Sequence, residues 1–381
     1  MCLRNIPAVK VRRGSRIYLE KTCPEHGPFS ALIWQGAVDY EEWTGGAEAL
    51  EPGGGEHCPQ NCGLCPEHER HTCCILLEVT GRCNLHCSFC FADGGNGADR
   101  PLAAVKEDLR ALCVPGKTLV QLSGGEPTVR EDLPDIIAYA KEIGCAYVQL
   151  NTNGLRLAEE GYAETLAAAG LSFVFLQFDS LGDRVYQRLR GRPLAEIKEQ
   201  AIARCGAAGL GVTLVPTLVP GVNTGEIGDI LRFAVKNSPV VRGVHFQPVS
   251  YFGRMPEIPE LHAGQEPETA EGAGARPDGG RYTLDQLMAD IERETGGLIG
   301  RQNLVPSCCD HPLCGFHGDF IVMPEGLMAL TDSQRSKESQ PETADPADLN
   351  RAFVARRWQR EAKADCCCSA ESEESAESCC D

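Results

Sequence analysis

Apolar and polar residues alternate in blocks along the middle of the chain, and two different periods take turns there. Short apolar runs of strand length stand at 74–80, 118–123, 146–152, 171–179, 211–220 and 241–250. Between them, stretches at 101–112, 130–143, 156–169, 193–209 and 224–236 repeat their apolar residues with helical period. Strands separated by helices predict crossover connections and a parallel sheet. Six such units are too few for an eightfold barrel and enough for an open one. The predicted fold is therefore α/β, a partial (β/α)6 barrel, with its chemistry at the C-terminal strand ends.

The flanks read differently. Residues 1–74 have few long apolar runs and much Gly, Pro, Cys and His, which suits a small metal-stapled module without a large core. The barrel is expected over 75–255 and a cysteine-containing extension over 256–330. That extension starts with a Gly- and acid-rich loop (262–280) and continues with a helix over 283–297 and a hairpin over 320–330. The remainder, 331–381, is an acidic, Cys-rich tail expected to be largely disordered, with one short helix-like stretch around 348–363.

Composition sharpens this picture in two ways. The net charge of −18 over 381 residues argues against nucleic acid, since phosphate binding needs a basic face. No apolar run reaches membrane-spanning length, so a cytoplasmic protein is expected. The 21 cysteines then point to metal or redox chemistry, because thiols stay reduced in that compartment.

The cysteines are patterned. "CNLHCSFC" places Cys83, Cys87 and Cys90 as C-x3-C-x2-C just beyond the first strand. At this cysteine content such a spacing is expected by chance roughly 0.06 times per chain, yet it occurs twice, the other copy being Cys58, Cys62 and Cys65. Three thiolates on a [4Fe–4S] cluster leave one iron open to a further ligand. A structural zinc completed by a distant residue is the alternative. After the second strand stands "SGGEP", with Gly124, Gly125, Glu126 and Pro127. Its glycines allow close backbone approach to a ligand, and its carboxylate can accept from an ammonium group.

"CNLHCSFC" followed by "GGEP" resembles the radical S-adenosylmethionine (SAM) superfamily over about 75–250. The resemblance implies that the open iron binds the amino and carboxylate groups of SAM. One electron from the cluster then breaks the sulfonium C–S bond, and a 5′-deoxyadenosyl radical abstracts hydrogen from a substrate. A reductant such as ferredoxin or flavodoxin is implied as a partner. By the same analogy Phe89 lies near the adenine and Asn153, in "NTNG", contacts the cofactor. Gln177, Asp179, Thr217 and Gln247 are further strand-end candidates for ribose and carboxylate contacts, or are simply satisfied polar groups.

"TCPEHGPF" (22–29), "PVSYFGR" (248–254) and "CCDHPLC" (308–314) extend the resemblance to a smaller branch, the pterin methylases and tetraether lipid synthases. The tail motifs "DCCCS" and "SCCD" resemble instead the bacterial radical SAM (seleno)protein TrsS group. The branch implies an auxiliary cluster, or zinc, at Cys58, Cys62 and Cys65, with His68, His71, Cys73 and Cys74 nearby. It also implies a further auxiliary role for Cys308, Cys309 and Cys314. "CPEH" looks like one knuckle of a zinc ribbon, giving Cys2, Cys23 and His26 as zinc ligands. The branch's partner knuckle is C-x2-C, of which only Cys2 remains; either the start has been assigned a few residues late or the site has lost a ligand. Cys113, Cys145 and Cys205 fall on core patterns. The expected activity is C-methylation or C–C bond formation on a small molecule, a transferase with an oxidoreductase's cofactors. A peptide or protein maturase and a non-enzymatic electron-transfer protein are the alternatives.

Overall fold

The computed structural model describes residues 6–36, 38–43, 74–87, 90, 95, 97–249, 281–306 and 315–333. Its centre is a six-stranded, all-parallel sheet built from β4 (Cys74–Thr80), β5 (Leu119–Gly124), β6 (Tyr147–Thr152), β7 (Phe173–Gln177), β8 (Gly211–Val215) and β10 (Val241–Val244). The strands lie side by side in chain order, with β4 and β10 at the two edges. Crossovers are supplied by α2 (Leu102–Leu112), α3 (Leu133–Glu142), α4 (Tyr162–Ala168), α5 (Asp183–Arg190), α6 (Ala195–Ala207) and α7 (Ile227–Lys236). The expected (β/α)6 arrangement is thus present.

Alternation along the strands builds the core. Val120 and Leu122, Val148 and Leu150, Val174 and Leu176, and Val212 and Leu214 all face the helices and are essentially without exposure. A side chain one residue on points to the opposite face, and there the residues are Gln121, Gln149, Asn151, Gln177 and Thr213. One face of the sheet is therefore aliphatic and packed under the helices, and the other mixes these polar groups with the rings of Phe173 and Phe175.

Two expected strands are interrupted. The run 211–220 divides into β8 and the two-residue β9 (Thr217–Leu218), and 241–250 divides into β10 and β11 (Gln247–Pro248). Pro216 has no N–H to continue the ladder, although its carbonyl still accepts from Gln247 N at 2.9 Å. β9 and β11 form a small parallel pair of their own beyond the strand ends. The expected helix over 130–143 begins only at Leu133, because Arg130 is buried as a bridge to the carbonyls of Val79 and Arg100.

The N-terminal region holds a meander that the sequence pattern did not suggest. β1 (Ala8–Arg13), β2 (Arg16–Cys23) and β3 (Gly27–Gln35) pair antiparallel and lead into the short α1 (Tyr40–Trp43). Few of its apolar residues are buried, and the core they form is shared. Ile17 and Trp34 pack with Leu218, Ile227 and with Leu287, Met288 and Ile291 of α8 (Leu284–Glu294). Gln35 N donates to both carboxylate oxygens of the buried Asp285, at 3.1 and 3.2 Å. Gly36 is needed there, since a Cβ would lie 2.2 Å from Asp285 Oδ2. The start of α8 is secured by Gln286, whose Oε1 accepts from the Thr283 N–H at 2.9 Å, half of a capping box. β12 (Val305–Pro306) pairs with β13 (Phe316–His317), and the expected hairpin is β14 (Phe320–Met323) with β15 (Gly326–Ala329). The tail and its helix-like stretch lie outside the described residues.

Candidate functional site

β4 ends at Thr80, and the chain turns directly into the loop that carries Cys83, Cys87 and Cys90. The base of this loop is fastened to the "GGEP" turn. Gly125 N donates to Thr80 O and Glu126 N to Arg82 O, each at 2.8 Å. Arg82 forms a two-pronged pair with Asp99 at 2.9 and 2.7 Å, and Asp99 also accepts from the Thr80 hydroxyl at 2.6 Å. The Arg82 guanidinium holds the Asp99 carboxyl below the usual carboxylate range.

The glycines of this turn also make room for protein backbone. A Cβ on Gly124 would lie 2.2 Å from Thr80 O, and one on Gly125 2.2 Å from Arg82 O. Gly124 also has φ +134°, which disfavours any side chain. Their missing side chains admit the backbone of the cysteine loop, so this turn positions the thiols themselves.

Cys83 and Cys87 are half-buried against an apolar patch of Leu85, Tyr186 and Leu194, whereas Cys90 is exposed. Burial pushes the Cys83 thiol up, opposed by the Leu85 N–H at 3.4 Å from its sulfur. The guanidinium of Arg190, at the end of α5, lies near enough to the Cys87 thiol to interact with it electrostatically. Among the described residues no three Cys, His, Asp or Glu side chains converge on a single metal ion. Three thiols on one loop, two of them on an apolar floor, are a donor set that suits a [4Fe–4S] cluster.

Behind the loop runs a buried belt of polar side chains across the strand ends. Glu126, 1% exposed, accepts from Thr128 N at 3.1 Å and from the hydroxyls of Thr128 and Thr152 at 2.6 Å, while Oε2 takes Asn153 N at 2.6 Å. Its carboxylate joins β5 to β6. Asn153 in turn donates to Asn84 Oδ1, between the first two cysteines, at 2.7 Å. Lys198 on α6 is wholly buried and bridges Asn153 O and Gln177 Oε1, the latter at 2.8 Å. Desolvation lowers its ammonium pKa to about 7, against the pull of Asp179 and Glu126.

Gln177 reaches Asp179, whose oxygens are taken by Arg190 at 2.7 and 2.9 Å and by Thr217 N at 3.1 Å. Burial works to lower the Arg190 pKa, but Asp179 outweighs it and the guanidinium stays charged. The belt therefore holds the Asp179–Arg190 ion pair out of water, with the Glu126 carboxylate and the Lys198 amine buried beside it. Thr217 Oγ1 accepts from Arg190 at 3.1 Å, and Gln247, exposed on β11, lies in register with Thr217. Arg190 and Lys198 escaped the sequence reading. "DRVYQRLR" is too short and polar to announce a helix, and the buried lysine shows only in that Lys198, Ala201, Ile202 and Cys205 share one face of α6.

Cys23 Sγ and His26 Nδ1 stand 3.3 Å apart at the turn from β2 to β3; Cys2 lies outside the described residues. So do Phe89, Cys58, Cys62, Cys65, Cys308, Cys309 and Cys314. Cys74 opens β4, and Cys145 and Cys205 are buried core thiols, with the Cys113 sulfur 3.1 Å from that of Cys145.

Comparison with known proteins identifies the family. Residues 77–234 match the Radical SAM superfamily, and residues 1–35 match the HMPTM N-terminal zinc ribbon domain. The chain is 38% identical over 318 residues to a 7,8-dihydro-6-hydroxymethylpterin dimethyltransferase of Methanocaldococcus jannaschii, covering 80% of this chain and 59% of that protein. It is 30% identical over 319 residues to a GTP 3′,8-cyclase of Paenarthrobacter nicotinovorans, covering 78% and 87%. A probable GTP 3′,8-cyclase of Methanothermobacter thermautotrophicus is 32% identical, covering 46% of this chain and 58% of that protein. The chain thus spans about three fifths of the length of the pterin dimethyltransferase. The solved structure of the radical S-adenosylmethionine methyltransferase TsrM from Kitasatospora setae aligns over 58% of this chain and 52% of that one, at 17% identity and TM-score 0.43, too slight a likeness to add weight. With the cysteine spacing, the fastened turn and a near full-length relative in agreement, the chain belongs to the radical SAM superfamily.

Proposed function

We propose that this chain is a SAM-cleaving radical enzyme that methylates, or forms a C–C bond on, a small pterin-type molecule. The observation that carries the reading is the fastening of the cysteine loop to the "GGEP" turn, which brings the thiols and the strand-end polar belt to one mouth. Cys83, Cys87 and Cys90 would hold a [4Fe–4S] cluster, which when bound supplies the electron that breaks the sulfonium C–S bond of SAM. Leu85, Tyr186 and Leu194 exclude water beneath it. The positive charge of Arg190 near the Cys87 thiol would steady negative charge there. Glu126, Asn153 and Lys198 set the strand-end backbone against which the cofactor would lie. Phe89, Gln177, Asp179, Thr217 and Gln247 remain candidates for cofactor contact, with Asp179 acting through Arg190.

The similarity to the M. jannaschii pterin dimethyltransferase supports a pterin substrate and a methyl or carbon transfer. An auxiliary cluster at Cys58, Cys62 and Cys65, with Cys308, Cys309 and Cys314 as further ligands, belongs to the same reading. So does zinc at Cys23, His26 and Cys2, supported by the 3.3 Å approach of the first two and the zinc-ribbon match. A ferredoxin or flavodoxin is the proposed electron donor.

The test is anaerobic reconstitution with iron and sulfide, reduction, and addition of SAM with 7,8-dihydro-6-hydroxymethylpterin. 5′-Deoxyadenosine and a methylated pterin are expected, and neither from Cys87→Ala. A wild-type protein that loads iron yet leaves SAM intact refutes the radical reading; SAM cleavage with an unchanged pterin refutes the substrate.

A further inference from the structure

The inner face of the sheet carries a feature the cofactor chemistry leaves unused. Strand register aligns its side chains in rows. Gln121, Gln149 and Phe173 form one row across β5, β6 and β7, and Asn151, Phe175 and Thr213 form the next row toward the mouth. Buried sheet faces are normally aliphatic, as the helix-covered face is here. The inner face instead presents three carboxamides in a chain. Gln149 Nε2 donates to Asn151 Oδ1 at 2.6 Å, and Asn151 Nδ2 to Gln121 Oε1 at 3.4 Å. Gln121, Asn151 and Phe175 keep partial exposure, so the face is open to a ligand.

The chain of amides ends on an orphan. Gln149 is wholly buried, and among the described residues its Oε1 has no hydrogen-bond partner. A buried acceptor left unpaired is costly, and sites that keep one are expected to complete it with a ligand. Beside the amides, the rings of Phe175 and His245 approach with centroids 5.8 Å apart, inclined at 39°, and Phe173 lies 6.1 Å from Phe175. An aromatic wall beside a row of carboxamides suits a flat heterocycle whose edge alternates N–H donors and carbonyl acceptors. No lysine or arginine lies in these two rows to hold a polyphosphate, and Glu78 of β4, on the same face, is exposed and acidic.

We infer that Gln149, Asn151 and Gln121 bind the lactam and amidine edge of an uncharged bicyclic heterocycle of the pterin class, with Phe175 and His245 against its plane. This rests on the proposed function and assigns the residues that select its substrate. Gln149 Oε1 accepts a ring or amino N–H, and the adjoining amides read the remaining edge. These are specificity residues.

The experiment measures binding of reduced 6-hydroxymethylpterin and, separately, of GTP to the cluster- and SAM-loaded protein. The comparison is wild type, Gln149→Leu and Asn151→Leu. Removal of a designed hydrogen-bond partner is expected to weaken pterin binding at least about tenfold. SAM affinity and substrate-free SAM cleavage should stay within about twofold of wild type, which a general structural lesion would not allow. GTP is expected to bind more weakly than the pterin to the wild type. If Gln149→Leu does not fold, Asn151→Leu carries the comparison. Unchanged pterin affinity in the folded variant overturns the inference, as does tighter binding of GTP. A wild type that cleaves SAM but binds neither heterocycle overturns this inference together with the pterin substrate and leaves the radical reading standing, while a wild type that never cleaves SAM removes that reading as well.

Discussion

Replacing Lys198 by methionine keeps most of the side chain's volume and removes its amine from the centre of the polar belt. The structure sets the size of the effect. Lys198 is without exposure and its pKa is lowered to about 7, burial being the largest cause. In the unfolded chain an ordinary lysine holds its proton up to about pH 10.4. Below about pH 7 both states bind that proton and the folded state bears the full burial penalty. Between about pH 7 and 10 the unfolded chain holds a proton that the folded one has released, so raising the pH favours folding. From pH 7 to pH 9 the gain from this one group is about 2 kcal/mol. The methionine variant lacks it. Urea unfolding of the cluster-free, thiol-reduced protein at both pH values measures it as a double difference, in which other titrating groups cancel. Wild type should gain about 2 kcal/mol over Lys198→Met between pH 7 and pH 9. Parallel curves would show that the amine keeps its ordinary pKa and that the belt is not the dry environment described.

Gly125→Ala would place a methyl 2.2 Å from Arg82 O, forcing the turn away from the cysteine loop; a loss of about 1–3 kcal/mol and of most bound iron is expected, read by urea unfolding and iron analysis. Glu126→Gln exchanges one acceptor oxygen for an NH2 that cannot accept from Asn153 N or the nearby hydroxyls, and about 1–3 kcal/mol of stability should be lost, together with SAM affinity by calorimetry. Gly36→Ala would push against Asp285 and should weaken the seam between the meander and α8 by about 1–3 kcal/mol, with the cluster's spectrum unchanged.

The barrel was legible because its strands and helices each obey one clear period, as with Val148 and Leu150 against Gln149 and Asn151. The thiol triad and "GGEP" were legible as spacing. What the triad and turn do for one another was not: only coordinates reveal that Gly124 and Gly125 make room for the cysteine loop. Arg190 and Lys198 were hidden because a buried cation is written with the same letters as a surface one, and only its tertiary partners distinguish it. The meander was missed because its apolar residues do not all face one side, Val9 and Phe29 being exposed, and because Ile17 and Trp34 complete a core supplied largely by α8, more than 240 residues away in sequence.

Electron paramagnetic resonance of the anaerobically reduced protein, with and without SAM, addresses the thiol triad directly. A reduced [4Fe–4S] signal whose shape changes on adding SAM, and whose SAM response is absent from Cys87→Ala, is expected. Zinc in place of iron at Cys83, Cys87 and Cys90, or a cluster signal indifferent to SAM, would contradict the account.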